Sequence, residues 1–164
     1  MLFRSGHGTA PLAALRAAGI RVGLGSDSVA SNDRMDLLDE ARLATLFANA
    51  REHRHDALSA HDALALATFD GARALGLGDE VGSLEVGKAA DLAAFRVPDH
   101  RAPLNDPVAA AIYALAGTPA SLVVVAGTQK VRDGCLLDAD ADLSQRVQQC
   151  AARLQAWRIA ERPR

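Results

Sequence analysis

The chain has 164 residues, 49% of them hydrophobic and only 4% aromatic, with 18 Lys and Arg against 20 Asp and Glu. That is room for one ordinary domain or two small ones, and enough apolar material to exclude wholesale disorder. A net charge of -2 argues against nucleic acid or an anionic membrane as partner, and no run nears the roughly 20 apolar residues of a spanning helix.

The two cysteines, Cys135 and Cys150, form neither a metal-type pair nor a disulfide framework. No basic, apolar, small-residue leader opens the chain, so a reducing, cytoplasmic setting is expected.

Gly6-His7-Gly8 reads as a loop. Thr9 offers a helix cap, with Pro11 in the first turn, where its missing N–H costs nothing. Leu12, Leu15 and Ala18 share a face, and Gly19 stops the helix. Residues 20–25 follow as an apolar, Gly-interrupted strand that ends at Ser26-Asp27-Ser28. A loop over 29–34 precedes a helix from Asp36 to about Arg54, with Leu37, Ala41, Ala44 and Ala48 at helical spacing. Glu40 and Arg42 read as a structural pair on it. A second helix starts at Ser59, with Asp62 three residues on as a variant capping box, and runs to Gly76.

Beyond Gly76 the texture becomes β. Residues 91–97 read as a strand, 98–107 as a Pro-rich loop and 108–115 as a short helix. Leu122 to Ala126 is the clearest buried strand. Gly127-Thr128-Gln129 turns it into 130–132, and Asp133-Gly134 turns again before Cys135 to Leu137. The chain then becomes helical. Leu143, Val147, Cys150, Leu154 and Trp157 alternate spacings of four and three, a stripe expected to lie on the body of the protein.

Three stretches, taken together and in order, resemble the amidohydrolase superfamily, in its branch of aromatic-amine deaminases and chlorohydrolases. They are Ala10-Pro11-Leu12 through Gly19-Ile20-Arg21-Val22-Gly23-Leu24-Gly25-Ser26-Asp27-Ser28, then Asp36-Leu37-Leu38-Asp39-Glu40-Ala41-Arg42, then Gly82-Ser83-Leu84-Glu85-Val86-Gly87-Lys88-Ala89-Ala90-Asp91-Leu92. The resemblance implies an α/β fold: the C-terminal part of a (β/α)8 metal-dependent hydrolase barrel, a small composite β-sandwich and a C-terminal helix. The expected divisions are 1–76 for the barrel part, 77–140 for the β domain and 141–164 for the helix.

It also implies a function: metal-dependent hydrolysis of non-peptide carbon–nitrogen bonds, and deamination of a heteroaromatic amine in particular. The family's site joins a His-x-His pair, two more histidines and one aspartate around a divalent metal, zinc first, iron or nickel as alternatives. Only the aspartate maps here, onto Asp27, as metal ligand and catalytic proton carrier. Such a carboxylate at the C-terminal end of a barrel strand sits where these barrels keep their chemistry. Beside a metal-activated water it accepts the proton and passes it to the leaving group.

Asp27 alone, after a strand, reads more simply as a cap or turn residue. His7 is a candidate substrate contact near the pocket mouth, and Ser28 and Asn32 either orient Asp27 or line the pocket. His53-Arg54-His55 looks like a metal pair, but i and i+2 on a helix end point apart, so a solvated charged end is the better reading. His61 and His100 are expected to be exposed, and Lys88 to be a turn residue.

A whole barrel with its appended domain takes well over about 250 residues, so roughly seven of the barrel's strands are expected to lie outside this chain. A catalytic metal takes three or more protein ligands. The chain is therefore expected to be inactive and metal-free alone, with a small-molecule substrate for the parent enzyme and association of copies through the uncovered strand edge. The alternative is a non-catalytic folding or oligomerisation module.

Overall fold

The computed structural model describes residues 8–101 and 104–160. Its order is helix α1 (Leu12–Ala17), α2 (Val29–Asn32), α3 (Leu37–Glu52), α4 (Ala60–Ala67), α5 (Phe69–Ala74), strand β1 (Leu92–Ala94), a 3₁₀ turn at Asp99–Arg101, α6 (Pro107–Ala114), β2 (Leu122–Val125), β3 (Thr128–Arg132), β4 (Cys135–Leu136) and α7 (Leu143–Ala160).

Caps decide where most helices begin. The Asp36 carboxylate accepts the Leu38 and Asp39 amides at 3.0 and 3.2 Å, starting α3. Ser59 and Asp62 form the expected capping box on α4. Asp106 caps α6, with Pro107 in its first turn. α1 departs from expectation, because Thr9 does not cap it. Thr9 instead accepts from the Arg51 guanidinium through its hydroxyl and its carbonyl, both at 3.3 Å.

The core lies between α3, α4 and α6, where Leu58, Leu66 and Ile112 are fully buried with Ala41, Ala63 and Thr45. Small residues on α3 and α4 let the helices approach closely, which compensates for the scarcity of aromatics.

The single helix expected over 59–76 is two. Thr68 (φ -129°, ψ -97°) breaks it. Just before that break the Leu66 carbonyl accepts from the Leu24 amide at 3.1 Å, so the interruption supplies a backbone acceptor to the segment ahead of Asp27. The loop expected over 29–34 contains the one-turn helix α2.

The expected strand at 20–25 pairs with no other strand among the described residues. A strand exists by its ladder, and here only the bond to Leu66 is available to its interior. Its side chains still alternate. Val22, Leu24 and Ser26 are half-buried, with Val22 and Leu24 against the helical core, while Arg21, Gly23, Gly25 and Asp27 are exposed.

The four β strands form one antiparallel sheet in the order β1-β2-β3-β4. Two-residue turns with positive φ at both positions join β2 to β3, at Ala126 (48°) and Gly127 (76°), and β3 to β4, at Asp133 (50°) and Gly134 (79°), while the stretch from β1 to β2 carries α6. The first turn comes one residue earlier than expected, so Thr128 and Gln129 belong to β3. The expected strand 91–97 shortens to three residues, and β2 is half-buried rather than buried.

Lys88 is more than a turn residue. Its Nζ donates to the Gly78 carbonyl and the Ser83 hydroxyl, both at 2.7 Å, and closes the loop that leads into the sheet.

Helix α7 does not lie on the body: none of its side chains is buried, and Trp157 is 58% exposed. A heptad-like stripe needs a facing groove, and the described residues bring none to it. No described helix is long and apolar enough to cross a membrane. Both cysteines are free and exposed.

Gly82 combines φ 95° with a close approach, since a Cβ there would stand 2.7 Å from the Ala72 Cβ and 3.0 Å from the Phe69 Cα. Gly82→Ala is expected to cost more than about 1 kcal/mol in urea unfolding; an unchanged midpoint would show that α5 yields freely.

A second expectation concerns acid. Burial pushes the Asp62 carboxyl up, but the Ser59 hydroxyl and the Arg16 guanidinium (2.6 Å) outweigh it and hold its pKa at about 2. The folded value lies below the roughly 3.9 of an unfolded aspartate. Its contribution is therefore complete above about pH 4 and is lost as pH falls toward 2. Both side chains are about a third exposed, and solvent screening reduces the effect to about 1 kcal/mol. Unfolding midpoints of wild type and Asp62→Asn should converge across that window. Curves that stay parallel down to about pH 2 would contradict the assignment.

Candidate functional site

Asp27 follows the alternating segment 20–26 and is exposed, as expected of a residue that presents a carboxylate. Its φ of 60° is left-handed, which aspartate tolerates better than most residues. The Ser28 amide donates to Asp27 Oδ1 at 2.7 Å, and the Ser26 hydroxyl donates to the Asp27 carbonyl at 3.3 Å.

Ser28 is the residue before α2. Its exposed hydroxyl lies 3.1 Å from that of the half-buried Ser31. Asn32 is placed otherwise. It is 8% exposed, and its side-chain amide donates to the Ser26 carbonyl at 3.1 Å and to Glu40 Oε1 at 2.5 Å. His7 lies outside the described residues.

Glu40 is the residue that sequence reasoning missed. It does not pair with Arg42, which approaches Asp39 at 4.0 Å; it is itself 8% exposed. The signal was its spacing. Residues 40, 44 and 48 fall on one helical face, and a carboxylate among alanines on a buried stripe calls for a polar partner.

The other histidines behave as solvated residues. His53 ends α3 in the left-handed region, and His55, His61 and His100 are exposed.

Two grooves border the 23–25 segment. One of about 950 Å³ runs along Gly23, Leu24, Gly25, Leu64 and Leu77; another of about 300 Å³ lies between residues 8–12 and α3, with Glu40 in its wall. Asp27 lines neither. The larger one is walled mainly by leucine, alanine and glycine, with Thr68, Ser83 and Asp91 as its few polar residues, so it has the character of an uncovered packing surface more than of a ligand pocket.

Among the described residues no three His, Cys, Asp or Glu side chains converge as a metal site. Asp27 supplies one oxygen donor, and a catalytic metal takes three or more protein ligands. The residues in hand therefore do not by themselves fit a bound metal.

Residues 3–132 match the amidohydrolase family. The chain belongs to that family. Its sequence is 42% identical over 126 residues to the 5-methylthioadenosine/S-adenosylhomocysteine deaminase of Teredinibacter turnerae, covering 76% of this chain and 28% of that protein. In structure it is similar to an adenosine deaminase from Xanthomonas campestris with bound zinc, at a TM-score of 0.89 and 35% identity, over 94% of this chain and 36% of the other. It is also similar to the atrazine chlorohydrolase TrzN of Arthrobacter aurescens complexed with zinc, at a TM-score of 0.77 and 38% identity, over 92% of this chain and 33% of the other. The chain thus spans about a third of the length of these family members.

The simplest alternative role for Asp27 is that of a turn residue, and stability separates the two. A functional carboxylate in a left-handed position is dispensable for folding, so Asp27→Gly should leave stability unchanged or raise it by a few tenths of a kcal/mol. A loss of more than about 1 kcal/mol in urea unfolding would make the carboxylate structural.

Proposed function

We propose that this chain is the C-terminal part of a metal-dependent hydrolase that deaminates a heteroaromatic amine, and that Asp27 is its one contribution to the metal and proton chemistry. In this reading residues 20–25 are the last strand of a (β/α)8 barrel. β1–β4 belong to a composite β-sandwich, the units divide near 76 and 140, and the metal is a divalent ion, zinc before iron or nickel. The substrate is a small molecule of the kind named for the relatives, a purine nucleoside or its thioether. A cytoplasmic setting goes with it.

The observation that carries the reading is the alternation over 21–27. Val22 and Leu24 meet the helical core and Ser26 is half-buried, while Arg21, Gly25 and Asp27 are exposed and Gly23, between them, backs directly onto Gly71 of α5. Two open grooves border Gly23, Leu24 and Gly25, and no strand among the described residues pairs with them, which leaves the segment free for the strand neighbours this reading requires. Asp27 then stands at the C-terminal end of a strand, on the face where barrel enzymes hold their catalytic groups. The zinc in the two similar solved structures supports the choice of metal.

The net reaction adds water across a carbon–nitrogen bond and releases ammonia. The part assigned to Asp27 is to accept a proton from the attacking water on its carboxylate and return it to the departing nitrogen. Ser28, next in the chain and exposed, stands beside it as a candidate substrate contact. The remaining ligands of this reading lie outside the described residues, so the 164-residue chain is taken to be inactive alone.

A chimera tests the proposal. Residues 8–132 of this chain would replace the matching stretch of the Teredinibacter turnerae deaminase. The chimera should release ammonia from 5-methylthioadenosine, and Asp27→Asn within it should lower kcat by about 10²–10⁴-fold. Undiminished turnover by the Asp27→Asn chimera would remove Asp27 from the chemistry.

A further inference from the structure

Asp27 holds a left-handed backbone, yet its own contacts are few and exposed: the Ser28 amide on its carboxylate and the Ser26 hydroxyl on its carbonyl. A restraint has to come from elsewhere. It comes from Asn32, the last residue of α2, which is buried although it belongs to a one-turn surface helix.

One donor of the Asn32 amide goes to the Ser26 carbonyl, in the peptide that enters Asp27. The other goes to Glu40 Oε1. On the far side of Asp27, the Ser28 carbonyl accepts the backbone amides of Ser31 and Asn32, both at 3.0 Å. The turn carrying Asp27 is therefore closed into a ring by Asn32, and the ring is tied to α3 by Glu40. α3 is the 16-residue helix whose Ala41, Thr45 and Ala48 lie in the core.

We infer that Asn32 and Glu40 form a positioning pair that sets the Asp27 carboxylate against α3, and that Asn32 does not touch substrate. The value of such a pair rests on the reading of Asp27 as the reacting carboxylate, since a reacting group on a loop has to be held by side chains locked in place around it. The residue types fit the task. A side-chain amide brings two donors in one plane, and the ring offers two acceptors, a carbonyl and a carboxyl. Substitution of either partner leaves the other buried with a polar atom unanswered.

Isotope-labelled 164-residue chain provides the test, by NMR. The readouts are the φ-sensitive couplings of Asp27 and the Ser28 amide resonance, shifted downfield by its bond to the Asp27 carboxylate. Asn32→Ala and Glu40→Ala should both lose these signatures, while the resonances of Leu58, Leu66 and Ile112 stay in place. Glu40→Gln should keep the signatures, because its side-chain oxygen still accepts from Asn32. Signatures that survive in both alanine variants overturn the inference, as does a Glu40→Gln spectrum as altered at Asp27 as that of Glu40→Ala. If an alanine variant fails to fold, the double variant Asn32→Leu/Glu40→Leu fills the same space without the clamp. Loss of the Asp27 signature over an intact core supports the pair, and its persistence refutes it. These outcomes are independent of the chimera's: an active Asp27→Asn chimera sinks the role of the carboxylate and leaves the clamp standing.

Discussion

The structure depends on how closely the backbone ahead of Asp27 approaches the helices. A Cβ on Gly23 would stand 2.8 Å from the Gly71 Cα, and a Cβ on Gly71 would stand 2.8 Å from the Leu66 carbonyl oxygen. Gly23 has no room for a Cβ against the main chain of Gly71, and Gly71 has none against the Leu66 carbonyl, so both positions call for glycine. This close contact lets the Leu24 amide reach the Leu66 carbonyl and seats Val22 and Leu24 on the core. A segment with no paired strand beside it keeps a defined face for that reason, and that face delivers Asp27 to the open side.

From this contact the polar groups follow in a chain. Ser26 is half-buried on the same face as Val22 and Leu24, and its carbonyl accepts from Asn32. Asn32 reaches Glu40, and Glu40 lies one helical turn beyond Asp36, whose second carboxylate oxygen accepts the Gly117 amide. The cap of α3 thus also ties the turn before β2 to the helical layer. Buried polar groups in such a chain contribute little net stability pair by pair, but each is costly to leave unanswered, so they define one geometry rather than several.

Local signals were legible where the chemistry is local. The capping box at Ser59 and Asp62, the Asp36 cap and the Asp133-Gly134 turn all use contacts within three or four residues. The break at Thr68 was not legible, because it accompanies a backbone bond to Leu24, more than forty residues away in sequence. The stripe on α7 was legible as a stripe, but spacing says nothing about what faces it, and among the described residues nothing buries it. Glu40 was expected to pair with Arg42, but residues i and i+2 on a helix point apart, and Glu40 meets Asn32 instead. Its burial follows from the position of Asn32, reached through a turn with two left-handed residues, Asp27 and Asp33.

The sequence by itself determined the family, through three motifs in order. It also determined the single acid at the end of an apolar run, because motifs are runs of neighbouring residues and need no folded partner to be read. The tertiary structure alone decided that the run has two unlike faces. It decided too that Asn32 turns inward to Glu40 while Ser28 stays outward, and that α7 stands uncovered. Those outcomes depend on which surfaces meet across long separations, and packing between distant residues leaves no local mark in the chain.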